Sequence, residues 1–398
     1  MSKKVVIVGG GASGLIAAIY AAAGGASVTV LEQNNRFGKK LLCTGNGKCN
    51  LTNSEIRKTS YRGTTPGFAK DALHDFTMAD TMAFFSAIGV YTKNKNGYIY
   101  PHSEQASTVL ELLEMKARSL KVKLKSMEQV TAVKNQGDAF LVFTDNWQYE
   151  ADAVIVAAGS SASLIEGSGD SGYRLAENFG HQIIKPLPAL VPVKGLDSYY
   201  GKWAGVRVEA KVTLEINGMT LIGESGELQM TDYGISGIPV FQLSRYIARV
   251  KEEGLPVNLI IDFMPDFSLE QLIVFLETRM KGCPYKRYED LLVGIFPKKL
   301  IPILRQDTGN CKEQAEKLKS FVFHVDKTLG ADHAQVMSGG VLTDEIEVHT
   351  MESKKRKNLY FTGEVLDIDG ACGGYNLQWA WTSGALAGRA AAKEDKDD

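Results

Sequence analysis

Gly9, Gly11 and Gly14 follow the spacing G-x-G-x-x-G, between an apolar run at residues 5–8 and an alanine-rich stretch at residues 15–23. Glycines so placed serve phosphate binding. The first allows a tight turn, the second lets a pyrophosphate approach the main chain, and the third lets helix and strand pack closely. The helix over residues 15–23 turns the positive end of its dipole toward the phosphates, and Ala12 and Ser13 just before it are assigned to the same site. Glu32 ends a second apolar run, residues 27–31. Its carboxylate can accept hydrogen bonds from ribose hydroxyls and repels a 2′-phosphate, so the adenosine of FAD or NAD fits better than that of NADP. Gln33 is assigned to the same site. The motif has its strand before, its helix after and its acid at the right distance, which a chance glycine turn lacks.

A second group of residues points to the same ligand. Residues 36–53 read as a loop rich in Gly, Asn, Thr and Lys, offering main-chain donors and small side chains. Lys40, Leu41, Thr44, Asn46, Gly47, Cys49 and Asn50 are expected to wrap a pyrophosphate and flavin. Lys48 beside Cys49 would favour a reactive thiolate, but a small buried hydrophobe is the more common role for cysteine. No C-x-x-C partner stands nearby for disulfide redox chemistry. Near the other end, residues 358–364 read as a strand ending in Gly363-Glu364. A turn carrying Asp369, Gly374, Asn376, Leu377 and Gln378 then opens a helix with Gly384 and Gly388 on one face. A carboxylate at Glu364 suits ribityl hydroxyls. A helix N-terminus near Gly374 would stabilise the negative charge that a flavin ring gains on reduction. These features shift the reading from a general dinucleotide to FAD.

These residues need a scaffold, and the rest of the chain supplies its elements. Residues 152–157 form another buried strand, ending at Ala158-Gly159. Before it, residues 122–124, 129–133 and 139–144 read as a meander, in which the main chain of Val130 can meet the adenine edge. The spacing G-x-G-x-x-G recurs at residues 167–172, but without a buried strand leading in; it reads as a loop entering a helix at 173–179, beside the site. No second nucleotide domain for NAD(P)H is visible. Alternating runs around Asn217-Gly218 predict a hairpin in an inserted antiparallel β domain. Residues 230–239 form a Gly-rich turn before a helix, readable as facing substrate or as a helix start after a strand. Ser268 caps an amphipathic helix that opens a small helical subdomain.

Bulk properties exclude several classes. Lys and Arg number 45 and Asp and Glu 46, a formal net charge of -1 over 398 residues, so nothing in the charge balance calls for nucleic acid or an anionic membrane. The five cysteines fit neither a disulfide framework nor a zinc pattern. The apolar run after Met1 is too short for a signal peptide or a membrane span. No metal and a cytoplasmic, soluble chain are expected. The last residues, 393–398, form a charged tail.

Residues 45–53 (GNGKCNLTN), 97–107 (GYIYPHSEQAS), 156–159 (VAAG), 362–370 (TGEVLDIDG) and 373–378 (GGYNLQ) together carry a family resemblance. The chain resembles, essentially end to end, the bacterial flavoproteins that include a dehydro-bile-acid reductase and an aminoacetone oxidase. Many relatives show Arg where Lys48 stands and Pro where Ala371 stands. The resemblance implies an α/β fold: a Rossmann-like domain for non-covalent FAD built from both chain ends (residues 1–188 and 331–398), an inserted antiparallel, barrel-like β domain (189–262) and a small helical subdomain (263–330). It implies an FAD-dependent oxidoreductase that reduces a conjugated C=C of a dehydro-steroid or bile-acid-like small molecule, with NAD(P)H as transient donor. The alternatives are an oxidase of a small amino-ketone using oxygen, and a flavin-bearing module for partner binding or RNA-associated chemistry. Reduction of an enone needs an electrophilic handle and a proton donor; His102, Tyr98, Tyr100, Tyr233 and Tyr375 are the candidates.

Overall fold

The computed structural model describes residues 2–163, 165–307 and 309–393; most of the charged tail lies outside them. The chain divides into two compact units, Met1–Pro186 with Val336–Asp398, and Leu187–Gln335.

The first unit is organised by a five-stranded sheet in the order Leu359–Phe361, Ala153–Val156, Lys4–Val8 (β1), Ser27–Glu32 (β2), Lys123–Ser126. Every neighbouring pair is parallel. Val5, Val6, Ile7 and Val8 are all buried, as a strand covered on both faces requires. Helix Ala12–Ala23 (α1) follows β1 directly. It packs on the C-terminal helix, Tyr375–Ala391, at very short range. A Cβ on Gly384 would lie 2.4 Å from the Ser13 carbonyl oxygen, and one on Gly388 would lie 2.4 Å from that of Ala17. The two glycines expected to allow close packing are thus what lets the chain ends meet. The strand at 123–126 corrects the sequence expectation: it joins the parallel sheet beside β2 rather than the meander. Helix Ala106–Ser119 precedes it as a crossover, and its exposed lysines suit a sheet edge. The meander proper is Val130–Gln136, Ala139–Thr144 and Gln148–Ala151.

The second unit is built on a closed barrel ordered Val193–Gly195, Gly234–Gly237, Met219–Met230, Arg207–Ile216, Val257–Asp262, Phe321–Thr328. Asn217 (φ 50°) and Gly218 (φ 77°) make the expected hairpin turn. Val212, Leu214, Leu228, Met230, Leu259, Ile261 and Phe323 are buried in its core with Trp203. Two details differ from the sequence reading. Residues 234–237, read as part of a turn, form a barrel strand that runs straight into helix Ile238–Glu252, so this segment is a helix start after a strand. Phe321–Thr328, read with the helical segment, closes the barrel. The helices Leu269–Gly282 and Cys311–Lys319 are an excursion between two adjacent barrel strands. Ser268 caps the first of them, its side chain accepting from the Gln271 N–H.

Candidate active site

The carboxyl ends of the parallel strands in the first unit gather the motifs. Gly9 turns with φ 106°, and a Cβ there would lie 2.5 Å from the Ala157 carbonyl oxygen. A Cβ on Gly14 would lie 2.0 Å from the Gly9 carbonyl oxygen. Both positions therefore admit only glycine. Gly11 is different: nothing lies within 4 Å of the place a Cβ would take, and this residue caps α1 with no side-chain bond to its N–H groups. An open space in front of unsatisfied helix donors is what a pyrophosphate needs.

Glu32 is buried, and its bonds are already partly committed. Oε2 accepts from the Gly10 N–H (2.8 Å), and Oε1 accepts from the Asn34 N–H (2.9 Å) and the Asn34 side chain (2.8 Å). Oε2 retains room for one more donor, as a ribose hydroxyl would be. The Glu128 N–H donates to the Glu32 carbonyl (2.9 Å), which brings the start of the Val130 strand to this end of β2. The second glycine motif arrives here too. Gln33 donates to the Gly167 carbonyl (2.5 Å) and Lys39 pairs with Glu166 (2.7 Å), so residues 166–167 form a wall beside β2.

Lys40, Ser160 and Glu364 form a compact group. Lys40 Nζ lies 2.5 Å from Glu364 Oε2, the Ser160 hydroxyl donates to the same oxygen (2.8 Å), and Lys40 is 3.2 Å from Ser160 Oγ. Gly159 before it has open space around its Cβ position. Gly363 accepts from the Trp379 indole (3.1 Å) and donates to Ser383 (2.9 Å), pinning the Gly363-Glu364 turn to the C-terminal helix.

Residues 45–53 carry a run of left-handed conformations: Gly45, Asn46, Gly47 and Cys49 at φ 56°, 55°, 81° and 58°. The segment is less loop-like than expected, since Lys39–Cys43 is a short helix and Thr52–Asn53 a short strand. Leu41 is buried, and Thr44 bonds back to the Leu41 carbonyl (2.6 Å). The Cys49 thiol is fully buried and pushed up to about 12 by burial, so it is an inert thiol. Asn53 donates to the Gly373 carbonyl (2.9 Å). Gln378 is fully buried and spent inside the chain: it accepts from Thr52 (2.6 Å) and donates to Thr81 (2.8 Å) and Thr382 (3.1 Å). Asn376 exchanges bonds with the Gly370 main chain (2.7 and 3.0 Å). Both side chains brace the turn. The C-terminal helix starts from this turn at Gly374, which has φ 96° and no side-chain cap. Asp369 pairs with Arg62 across a short antiparallel bridge, and Leu377 is partly buried.

The open place over Gly11 and two uncapped helix starts at Gly11 and Gly374 provide donors and room. The Asn50 side-chain oxygen and the Tyr173 hydroxyl are buried with no partner in the protein, as groups awaiting a ligand would be. Asn34, Ser160 and Tyr173 were not singled out from the sequence. Asn34 and Ser160 directly follow assigned positions, and Tyr173 lies in the helix after the second glycine motif.

The candidate acids separate. Tyr98 and Tyr100 share one face of strand Tyr98–Pro101. Tyr98 packs against the C-terminal turn: a Cβ on Gly373 would lie 2.8 Å from its ring. Tyr375 donates to the Glu55 carbonyl (2.8 Å). His102 is exposed and lies against the exposed Tyr91, ring centroids 5.3 Å apart. Tyr233 belongs to the second unit, where its carbonyl accepts from the Gly195 N–H (3.1 Å).

A glycine turn and an uncapped helix start after the first parallel strand, with an acid closing the second, define a dinucleotide-binding domain of the Rossmann class. The HI0933-like protein Rossmann domain model matches residues 3–390, and the chain belongs to that family of FAD-dependent oxidoreductases. It is 45% identical over 379 residues to a 3-dehydro-bile acid delta(4,6)-reductase of Clostridium scindens, covering 92% of this chain and 93% of that protein. It is 32% identical over 378 residues to a ribosomal RNA dihydrouridine synthase of Haemophilus influenzae, covering 90% of each. Among solved structures, a 3-ketosteroid delta1-dehydrogenase of Sterolibacterium denitrificans aligns with TM-score 0.52 at 13% identity, covering 98% of this chain and 100% of that one. A 3-ketosteroid-delta4-(5alpha)-dehydrogenase of Rhodococcus jostii aligns at 0.50 and 15%, covering 98% and 97%. At these identities the structures speak for the fold alone. No helix among the described residues is long and apolar enough to cross a membrane.

Proposed function

We propose that this protein is an FAD-dependent reductase that adds hydrogen across a C=C conjugated with a carbonyl, in a dehydro-steroid acid of the bile-acid type, with NAD(P)H as electron donor. The observation that carries the reading is the 45% identity to the bile acid delta(4,6)-reductase along nearly the whole of both chains. Bound FAD would supply hydride to the β-carbon of the substrate. The main chain at Gly9, Gly11, Ala12, Ser13 and Gly14 would hold the pyrophosphate, Glu32 and Gln33 the adenosine ribose, and Val130 the adenine edge. Lys40, Gly159 and Glu364 would hold the ribityl chain. The loop through Thr44, Asn46, Gly47 and Asn50 and the turn at Gly374 would enclose the flavin. Leu41, Cys49, Asn376 and Gln378 shape that enclosure by packing and bracing.

A second reading concerns substrate only. The Haemophilus influenzae relative and an Escherichia coli ribosomal RNA dihydrouridine synthase, 30% identical over 372 residues, favour a uridine of ribosomal RNA. Dihydrouridine is uridine with its ring C=C saturated, and that bond is also conjugated with a carbonyl. Both readings therefore share one reaction. The test is anaerobic. NADH or NADPH should bleach the flavin, and a 3-oxo-4,6-diene bile acid should restore its colour and be reduced. Recolouring by unmodified ribosomal RNA and not by the bile acid would replace the substrate. Bleaching by aminoacetone and not by either nucleotide would overturn the reductase reading.

A further inference from the structure

We propose that Tyr98 is the proton donor of this reduction, delivering hydrogen to the α-carbon of the conjugated substrate; the inference rests on the reaction class proposed above. Two tyrosine hydroxyls at the Gly373-Gly374 turn are already engaged. Tyr375 donates to the Glu55 carbonyl at 2.8 Å, and Tyr61 donates to the Tyr375 carbonyl at 3.1 Å. Burial holds the Cys372 thiol above its ordinary value. Cys49 is sealed in the core. Among the described residues, no protein group hydrogen-bonds the hydroxyl of Tyr98 or of Tyr100. Of these two, Tyr100 packs toward Gly45, with its ring 3.6 Å from a Cβ placed there and the Lys95 ammonium 6.0 Å from its centroid. Tyr98 instead lies on Gly373, at the uncapped start of the C-terminal helix.

The support beneath Tyr98 is rigid. Its strand pairs on one side with Thr52–Asn53, through Asn53 opposite Tyr98, and on the other with Thr92–Lys95. Asn53 also holds the Gly373 carbonyl, so ring and turn share one brace. A half-buried phenol with an unspent O–H, fixed beside the turn that would face the flavin, meets the geometric requirement for a general acid.

The step balances. Hydride reaching the β-carbon breaks the C=C π bond and leaves its electron pair as an enolate. The Tyr98 O–H bond then breaks, a C–H bond forms at the α-carbon, and water returns a proton to the phenolate. A phenol is a far stronger acid than the α-C–H of a ketone, so the transfer runs downhill. Burial raises the Tyr98 phenol above its ordinary value of 10.0, and Cys372, Tyr375 and Tyr100, the titratable groups facing it, raise it further. The donor thus stays protonated at neutral pH.

The experiment uses the holoenzyme, reduced anaerobically with dithionite and mixed with a 3-oxo-4-ene bile acid in D2O. The wild type is expected to place deuterium on one face of the α-carbon. Tyr98→Phe should keep its flavin spectrum yet slow reoxidation by about 10²- to 10⁴-fold, with deuterium on both faces of the residual product. A fluorinated tyrosine placed at 98 should restore turnover and move the alkaline limb of the rate profile to lower pH. Tyrosinate absorbance of the apo-protein should lose one late-titrating phenol in Tyr98→Phe. A Tyr98→Phe enzyme with the wild-type rate and single-face labelling overturns this assignment alone. A wild type that leaves every enone unreduced overturns the parent reading and this one with it.

Discussion

Replacing Glu32 with Gln tests the adenosine end of the site, because the carboxylate does two separable things there. In the chain itself it accepts three hydrogen bonds, from Gly10, from the Asn34 main chain and from the Asn34 side chain, at 2.8, 2.9 and 2.8 Å. An amide offers one oxygen and one NH2. If the oxygen stays with the two Asn34 donors, the NH2 faces the Gly10 N–H, and a buried donor loses its acceptor. Hydrogen bonds to charged groups contribute about 1.5–3 kcal/mol each. Losing one should lower the melting temperature of the apo-protein by roughly 3–12 °C, at about 2–4 °C per kcal/mol for a unit of this size. The second effect concerns the ligand. The remaining acceptor site on Oε2 becomes a donor, so a ribose hydroxyl loses a charged partner. That loss is another ~1.5–3 kcal/mol, or about 10- to 150-fold in FAD dissociation constant. Calorimetry of the apo-protein and flavin fluorescence titration read the two effects independently. A Glu32→Gln protein that melts lower but binds FAD with wild-type affinity would refute the placement of the ribose at Glu32.

Other outcomes follow from the same geometry. Gly384→Ala puts a Cβ 2.4 Å from the Ser13 carbonyl oxygen and 2.5 Å from the Ile16 side chain; it should cost at least about 1–3 kcal/mol and reduce flavin retention, read by thermal melting and by the absorbance of the purified protein. Under native conditions a thiol reagent should modify exposed Cys43 and spare Cys49, whose thiol is buried and pushed up to about 12; mass mapping after brief alkylation checks this. His181 is buried between Glu345 (3.0 Å) and Ser353 (2.7 Å), and burial holds it below its ordinary 6.5, against the raising effect of Glu345. The unfolded chain therefore takes up a proton that the folded one resists. This contribution to stability is intact above 6.5 and declines as pH falls below it. Melting curves at neutral pH and near about pH 5 should show the loss, and His181→Asn should flatten it.

The nucleotide half of the fold was legible because its chemistry constrains local sequence. A tight turn, a close backbone approach and an acid at a strand end demand Gly9, Gly11, Gly14 and Glu32 at fixed spacings. The packing role of Gly384 and Gly388 was legible for the same reason. What escaped was pairing decided far away in sequence. The alternation at residues 122–126 suits an antiparallel neighbour as well as a parallel one, and only the helix before it delivers the strand to β2. Phe321, Phe323 and Val325 alternate with more exposed residues, a strand signal, but its partners are Val257–Asp262 and Val193–Gly195, and no local pattern names them. The site divides likewise. Glu364 was expected from its strand end. Its pairing with Lys40, 324 residues away, comes only from the fold. Gln378 reads in sequence as a ligand-facing carboxamide, yet its partners Thr52, Thr81 and Thr382 hold its side chain inside the chain.

The most direct test of the central claim is an experimental density map of the protein purified with FAD. One FAD per chain is predicted, with its pyrophosphate over Gly11, its adenosine ribose at Glu32 and its flavin ring at the Gly374 helix start, beside Tyr98. A map with those places empty, or with the flavin ring bound away from Gly374, would contradict the account.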